Sequence, residues 1–312
     1  ICFKLFLQAC FYRMGISLQE HLIAVPEDVS KLVLLVAGQS VKIKSAFLHH
    51  LSFAGSRNIY GEEQLELDKW ADGLILGEME KSSLVRNLAS EEQGEIVEIL
   101  KAKGSWGITV DPLDGMSCVS TNLSVGTIVG LFNEGNVLEK GNRMDAALFV
   151  LYGPLTTLVY ACKGKGVHEF VFDGQKKQFV LRHENIKIPS GTIFGSGGVK
   201  TKWSRPHTAF IAELEKQNYK MRFSGSLTAD FNQVLRYGGL FCYPALSDAP
   251  DGKLRLLFEG NPLSFIAAEA GGASTNGQKS ILEVQPKKIS DRTPLYLGGK
   301  KEIGLAEKFL KK

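Results

Sequence analysis

The sequence predicts an α/β protein with a mainly antiparallel sheet in its N-terminal half and a mixed sheet in its C-terminal half. Three observations predict it: two amphipathic helical patterns near the start, a run of strand-like segments through the middle, and helical patterns alternating with strand-like ones after Pro189. At 312 residues the chain is long enough for one large or two mid-sized domains with a sizeable core. Its 44% hydrophobic and 22% charged residues place it among ordinary globular proteins.

The opening stretch "ICFKLFLQACFYR" is apolar but carries Lys4 and ends well short of the ~20 residues a bilayer span needs. It lacks a small-residue cleavage site, and with Met14 after it the stretch reads as an extended or truncated start, with a buried or partner-facing helix as the alternative and a targeting remnant behind both. From Ser30 to about Ser52, "SKLVLLVAGQSVKIKSAFLHHLS" has helical apolar spacing and opens on a serine cap. A glycine-containing link, "FAGSRNIYGEEQ", leads to a second helix over roughly Leu65 to Arg86, so two helices precede any clear strand.

The period then changes. "GEIVEIL", "WGITV", "LSVGTIVGLF", "AALFVLY", "TTLVYAC", "VHEFVF" and "QFVLRHE" read as strands, with Asp173-Gly174 as a hairpin signal between the last two. After Pro189, "HTAFIAELEKQ" and "LTADFNQVLRYGG" read as helices and "LFCYP" and "KLRLLFE" as strands. In "NPLSFIAAEAGG", Asn261 suits an N-cap, Pro262 the first helical position and Gly271-Gly272 a stop. No repeat or long linker interrupts the chain, so the boundary falls near Ile188 to Gly198, dividing it into residues 1–188 and 189–312 with a broad shared interface.

A formal charge of +4, spread rather than gathered into one face or tail, argues against nucleic acid as the ligand and leaves phosphate esters open. The five cysteines (Cys2, Cys10, Cys118, Cys162 and Cys242) form neither a CxxC nor a metal-finger pattern, and their odd count favours reduced thiols in a cytosol-like compartment.

The segment with chemistry in it is "TVDPLDGMS", Thr109 to Ser117. Pro112 removes a backbone donor and ends the strand in a sharp turn, which lets Asp111 and Asp114 converge while the Leu113 carbonyl faces the same way. Three hard oxygens from four residues suit Mg²⁺ or Mn²⁺. Gly115 allows close backbone approach, and the N–H groups after it can face an anion. On its own such a turn is equally a surface loop. Further acids stand at Glu91 and Glu92 in "SEE", at Glu259 closing "KLRLLFE", and at Asp68 on the second helix. Together they supply oxygens for two or three cations facing a phosphate.

Taken in order, "AGSRNIYGEEQLELD", "SEE", "DPLDG", "SVGTIVGLF", "LYGPLTTLVY", "RFSGSLTADFNQVLRYGGLF", "YPA", "DGKLRLLFEGNPLSFIAAEAGGA" and "RTPLYLG" resemble the fructose-1,6-bisphosphatases, a family related to the inositol monophosphatases. The resemblance runs from about residue 30 to 300. It implies a layered α/β/α/β/α fold and hydrolysis of the 1-phosphate of fructose 1,6-bisphosphate in gluconeogenesis. It also implies two or three Mg²⁺ per subunit, with Mn²⁺ or Zn²⁺ as alternatives, in a cytoplasmic homotetramer. By the same resemblance the metal ligands would be Glu91, Glu92, Asp111, the Leu113 carbonyl, Asp114 and Glu259, and Asp68 with Glu92 would orient and deprotonate the attacking water. Asp114, Gly115 and Ser117 would hold the 1-phosphate and Lys253 would reach the sugar phosphate. Tyr243 would contact the 6-phosphate, as would Arg222 across a subunit interface.

Several positions depart from the family pattern. Met116 and Cys118 replace a serine and an asparagine, Ser196 to Val199 read "SGGV" where many members have Asn-Glu-Gly-Tyr, Phe223 replaces a tyrosine, and Asp248 stands where lysine is common. Lys200, Lys202 and Arg222 offer compensating charge. These changes keep two alternatives in view: sedoheptulose 1,7-bisphosphate as substrate, and a drifted, non-catalytic sugar-phosphate binder. A binder would not need the complete acidic set, and "RFSGS" and "DGKLRLL" do not suit an inositol monophosphatase. The threonine-glycine-glutamate opening of the family's AMP site is not visible before Ser30, and Ser105 replaces a lysine beside Trp106, so AMP inhibition is expected to be weak or absent.

Overall fold

The computed structural model describes residues 15–49, 53–57 and 63–311. The expectation for the apolar opening, residues 1–13, lies outside them. Helix α1, Glu27–Ala46, begins a turn earlier than Ser30, with Glu27 and Asp28 placed where the N-terminal dipole favours acids. Strands β1 (Phe53–Arg57) and β2 (Glu63–Leu65) pair antiparallel, so a small ribbon, not a plain link, precedes helix α2, Glu66–Lys81. A ribbon of this size is held by backbone bonds and leaves little apolar pattern to read.

Helix α2 ends five residues before the expected Arg86. Ser83 takes a left-handed φ of 59°, and the chain turns into β3, Val85–Ser90, a strand the helical pattern had concealed. The next expected strand, "GEIVEIL", contributes only β4, Val97–Glu98. The central strands follow as read: β5 (Trp106–Asp114), β6 (Val125–Phe132), β7 (Ala146–Tyr152), β8 (Thr156–Cys162), β9 (Gly166–Asp173) and β10 (Gln178–His183). They form one eight-stranded sheet in the order β10-β9-β8-β7-β6-β5-β3-β4, antiparallel except for the β3–β5 pair. The β9–β10 hairpin pairs Asp173 with Gln178.

A second, five-stranded sheet runs β12-β11-β13-β17-β15, where β11 is Ile193–Ser196, β12 Lys220–Met221, β13 Leu240–Tyr243, β15 Ala273–Thr275 and β17 Leu295–Gly298. It is mixed, with β11 parallel to both neighbours and β17 antiparallel to β13 and β15. Helices α3 (Arg205–Lys216) and α6 (Lys300–Leu310) cover its outer face. Helices α4 (Leu227–Tyr237) and α5 (Asn261–Glu269) lie between the two sheets, while α1 and α2 cover the far face of the first. The result is an α/β/α/β/α sandwich.

Strand β7 shows why its sequence is apolar throughout. Ala146, Leu148 and Val150 enter the core under α1 and α2, while Ala147 and Phe149 enter the core shared with α4 and α5. A sheet covered on both faces has no polar side to alternate with. Among the described residues no helix is long and apolar enough to cross a membrane.

Two local corrections set up the site. Pro112 does not end β5: the strand runs to Asp114 through a bulge, with Asp111 opposite Ile128 and Asp114 opposite Gly126. Three steps on β5 thus match two on β6. Residues three apart on a regular strand face opposite sides, and the extra residue returns Asp114 to the side of Asp111. Pro112 lacks a ladder donor, and its carbonyl instead accepts from Thr127 Oγ1 at 2.8 Å. The second correction concerns "KLRLLFE", of which only Leu254 and Arg255 are strand (β14, paired with β16, Arg292–Thr293). Leu256–Gly260 forms a π-helical turn running directly into α5, so Glu259 sits on helical backbone and Asn261 lies inside the helix, not at its cap. Such wide turns recur at functional sites because they displace one side chain from the helical spiral.

Candidate active site

The bulged end of β5, the β3–β4 turn, the start of α2 and the π turn before α5 border one cleft of about 430 Å³. Its walls include Asp68, Glu91, Glu92, Asp111, Leu113, Asp114 and Glu259, the whole expected acidic set, together with Gly115, Ser117, Tyr243 and Lys253. Of the expected site residues only Arg222 is not on this cleft. Its guanidinium lies 5.2 Å from the centre of the Tyr237 ring.

The carboxylates are close. Asp111, Asp114 and Glu259 each offer an oxygen within 4.8 Å of the other two, and all three are buried. Burial holds the Asp111 and Glu259 carboxyls well above the ordinary carboxylate range; Glu91 and Asp114 add repulsion to both, and Glu92 to Asp111. Asp114 is raised by burial as well, and hydrogen bonds from Thr228 and Ser226 oppose the rise. A divalent cation would relieve this repulsion directly. Among the described residues the cleft wall offers carboxylate and carbonyl oxygens and neither imidazole nor thiolate, a donor set that fits Mg²⁺ or Mn²⁺ better than Zn²⁺.

Glu91, Asp111, Asp114 and Glu259 are each held by a donor, and several of these donors were missed in the sequence. Asp114 Oδ2 accepts from the Thr228 amide at 2.7 Å, Thr228 Oγ1 at 2.6 Å and Ser226 Oγ at 3.2 Å, all at the N-terminal end of α4. Asp111 Oδ1 accepts from the Leu113 amide at 3.0 Å. Arg255, only 2% exposed, donates its backbone amide to Glu259 and brings Nε within 3.2 Å of Glu91 Oε1. A buried arginine between Leu254 and Leu256 implies a nearby acid, and that was the available signal. Asp72 shares the buried face of α2 with Asp68, one turn on; it accepts from Ser90 Oγ at 2.6 Å and from Gln93 Nε2, bracing the turn that carries Glu91 and Glu92.

The other end of the cleft is aromatic. Lys253 Nζ lies 5.7 Å from the Tyr243 ring centre, and Phe223 stacks on Phe241 at 6.4 Å between centroids. Gly197 lies against Tyr243: a Cβ there would stand 2.3 Å from the ring. Met116 also lines the cleft, Cys118 is a buried thiol beneath it, and Asp248 pairs with Lys202 at 2.5 Å. Gly115 has φ of 88°, as the turn into the short helix Met116–Val119 requires.

Comparison with known proteins matches two family descriptions: "Fructose-1-6-bisphosphatase, N-terminal domain" over residues 24–184 and "Fructose-1-6-bisphosphatase, C-terminal domain" over residues 188–311. A fructose-1,6-bisphosphatase class 1 of Methanocorpusculum labreanum is 46% identical over 93% of this chain and 90% of its own length. One of Methanospirillum hungatei is 42% identical over 90% and 89%. Among solved structures, the holo form of Leishmania major fructose-1,6-bisphosphatase superposes with a TM-score of 0.89 at 29% identity, covering 94% of this chain and 98% of that one. On these matches the chain belongs to the fructose-1,6-bisphosphatase family.

Proposed function

We propose that the protein hydrolyses the 1-phosphate of fructose 1,6-bisphosphate to give fructose 6-phosphate and inorganic phosphate. The observation that carries this reading is the convergence of Asp111, Asp114 and Glu259 within 4.8 Å, in a cleft that Lys253 and Tyr243 also line. Glu91, Glu92, Asp111, the Leu113 carbonyl, Asp114 and Glu259 would hold two or three divalent cations, Mg²⁺ by the donor chemistry. Bound there, such cations would supply positive charge for the phosphoryl oxygens and the departing alkoxide and would lower the pKa of a bound water.

The chain's own groups then have distinct tasks. Asp68 and Glu92 orient the attacking water and accept its proton as its oxygen bonds to phosphorus and the bond to the sugar O1 breaks. Ser117 and the amides after Gly115 donate to the phosphoryl oxygens. Lys253 and Tyr243 donate to the sugar phosphate at the far end. Arg222 does not line its own cleft and lies over the Tyr237 ring instead, which supports a role across a subunit interface in a homotetramer, while the family resemblance supports a cytoplasmic enzyme of gluconeogenesis. Residues 1–188 would supply most cation ligands and 189–312 the sugar-phosphate contacts.

The test is phosphate release from fructose 1,6-bisphosphate, sedoheptulose 1,7-bisphosphate and inositol phosphates, with and without Mg²⁺. Release should require Mg²⁺, favour the fructose ester and fall at least about a hundredfold in Asp114→Asn. Preference for the sedoheptulose ester would change the substrate, and equal release by Asp114→Asn would remove the site.

A further inference from the structure

We propose that His21, His168 and Glu184 form a second metal site, suited to a cation of the Zn²⁺ class, that ties the N-terminal turn to the edge of the large sheet. One ligand atom from each of the three lies within 4.8 Å of the other two. None of them lines the cleft. Two imidazoles and one carboxylate are a zinc-type donor set, in contrast to the all-oxygen cleft.

Three separate elements deliver the ligands. His21 ends the single helical turn Leu18–His21, which is fixed by reciprocal bonds between Ser17 and Glu20. That turn is seated on β10, because Ser17 bridges Val180 and the Ile16 carbonyl accepts from the Leu181 amide at 2.8 Å. His168 lies buried on β9, and Glu184 follows β10.

The imidazoles already make the supporting bonds that metal-ligating histidines use. His21 Nδ1 is 2.7 Å from the Tyr160 hydroxyl, leaving Nε2 on the Glu184 side, 3.7 Å from its carboxylate. His168 Nε2 donates to the Lys165 carbonyl at 2.9 Å, which assigns the proton to Nε2 and the lone pair to Nδ1. Nδ1 accepts the Asn185 amide at 3.3 Å, a long bond that a cation would replace. The rings are held by packing: His21 lies 4.4 Å from His168 and edge-on to Phe170 at 5.3 Å between centroids.

The test uses the full chain, stripped of metal and then saturated with Mg²⁺ so that the cleft is filled before Zn²⁺ is added. Zinc per chain is counted after gel filtration. One Zn²⁺ should be retained in the native protein and in Asp114→Asn, and lost in His21→Ala and Glu184→Gln. Tyr160→Phe should bind it roughly tenfold more weakly. Co²⁺ in place of Zn²⁺ should give the intense visible bands of a four-coordinate nitrogen-containing site, absent in His21→Ala. Equal zinc content in native protein and Glu184→Gln, an isosteric change at a half-buried side chain that keeps the site testable should His21→Ala not fold, would overturn the site. So would loss of the zinc in Asp114→Asn, which would put it in the cleft. Mg²⁺-dependent phosphate release should be unchanged in Glu184→Gln, so failure of either site leaves the other standing.

Discussion

Thr228→Val tests whether the N-terminal end of α4 sets the cation affinity of the cleft. Valine keeps the shape of threonine, and the close fit at Thr228, where a Cβ on Gly126 would meet Oγ1 at 2.5 Å, leaves no room for a larger group. The substitution removes the 2.6 Å bond to Asp114 Oδ2 and leaves the backbone bond at 2.7 Å and the weaker Ser226 bond at 3.2 Å. A hydrogen bond to a charged group contributes about 1.5–3 kcal/mol, or roughly 10- to 150-fold in an equilibrium constant. Two effects compete. Losing a donor makes the carboxylate oxygens more basic and better ligands, but it also releases the side chain and favours protonation of a group that burial already raises. The second effect wins, because a cation must both find the carboxylate oriented and displace any proton on it. The Mg²⁺ concentration giving half-maximal phosphate release should therefore rise by at least about tenfold, with the acid limb of the rate profile moved to higher pH. Thermal unfolding followed by circular dichroism checks that the fold is kept. A half-saturation within about twofold of the native value, at unchanged stability, would refute the argument.

Other predictions concern charge, space and regulation. The folded-state carboxyls of Asp111, Asp114 and Glu259 lie above their unfolded values, so the metal-free fold binds protons more tightly than the unfolded chain. Their contribution to stability is full at or below about pH 4 and is lost as pH rises through the raised values. Metal-free protein should then lose this contribution between about pH 4 and pH 8, unfolding at lower urea at the upper end, and saturating Mg²⁺ should shrink the difference; a contribution from these three carboxyls that grows toward pH 8, read by comparing the native protein with their amide variants, would contradict this. Gly197→Ala should push Tyr243 into the cleft and raise KM for fructose 1,6-bisphosphate roughly tenfold through about 1–3 kcal/mol of overpacking, with kcat little changed; an unaltered KM would show that the ring moves aside freely. AMP titration should show weak inhibition or none, and inhibition at micromolar AMP would overturn that expectation.

The fold was legible wherever a pattern was enforced by both faces of an element. Leu148 and Phe149 sit in different cores, so β7 had to be apolar throughout and could be read as a buried strand. Where short elements follow one another, the pattern blurred. Leu84 and Val85 follow closely enough on the apolar pattern of α2 to extend the helix to about Arg86, past its real stop at Lys81. "KLRLLFE" alternates like a strand, yet its last residues enter a π turn, because the register that matters there is set by Asp291, whose carbonyl accepts from the Leu256 amide. In the cleft, the acids were brought together by the ordered motifs and the family resemblance they carry, since each acid alone reads as a solvated surface residue, and the structure sets them around one cleft. Thr228, Ser226 and Asp72 were not readable, because a hydroxyl or a lone acid on a helix has many ordinary uses and only the tertiary fold says what it faces.

The arrangement of donors explains how the fold tolerates the cleft. Asp111, Asp114 and Glu259 repel one another, and without restraint they would splay into solvent. Each is bonded on the protein side instead: Asp111 to the Leu113 amide, Asp114 to Thr228 and Ser226, Glu259 to the Arg255 amide. The arginine side chain reaches back to Glu91, placing one buried positive charge inside the acidic group. The acids of β5 and of the β3–β4 turn belong to residues before 188, while Thr228, Ser226, Arg255 and Glu259 come after it. Neither half can therefore hold the charges in place alone. The broad layer of α4 and α5 between the sheets does this, because the same helices that bury Phe231 and Ile266 in the shared core present their N-terminal ends to the cleft. A change that loosens that core should be felt at the cation site before it is felt in the outer helical layers.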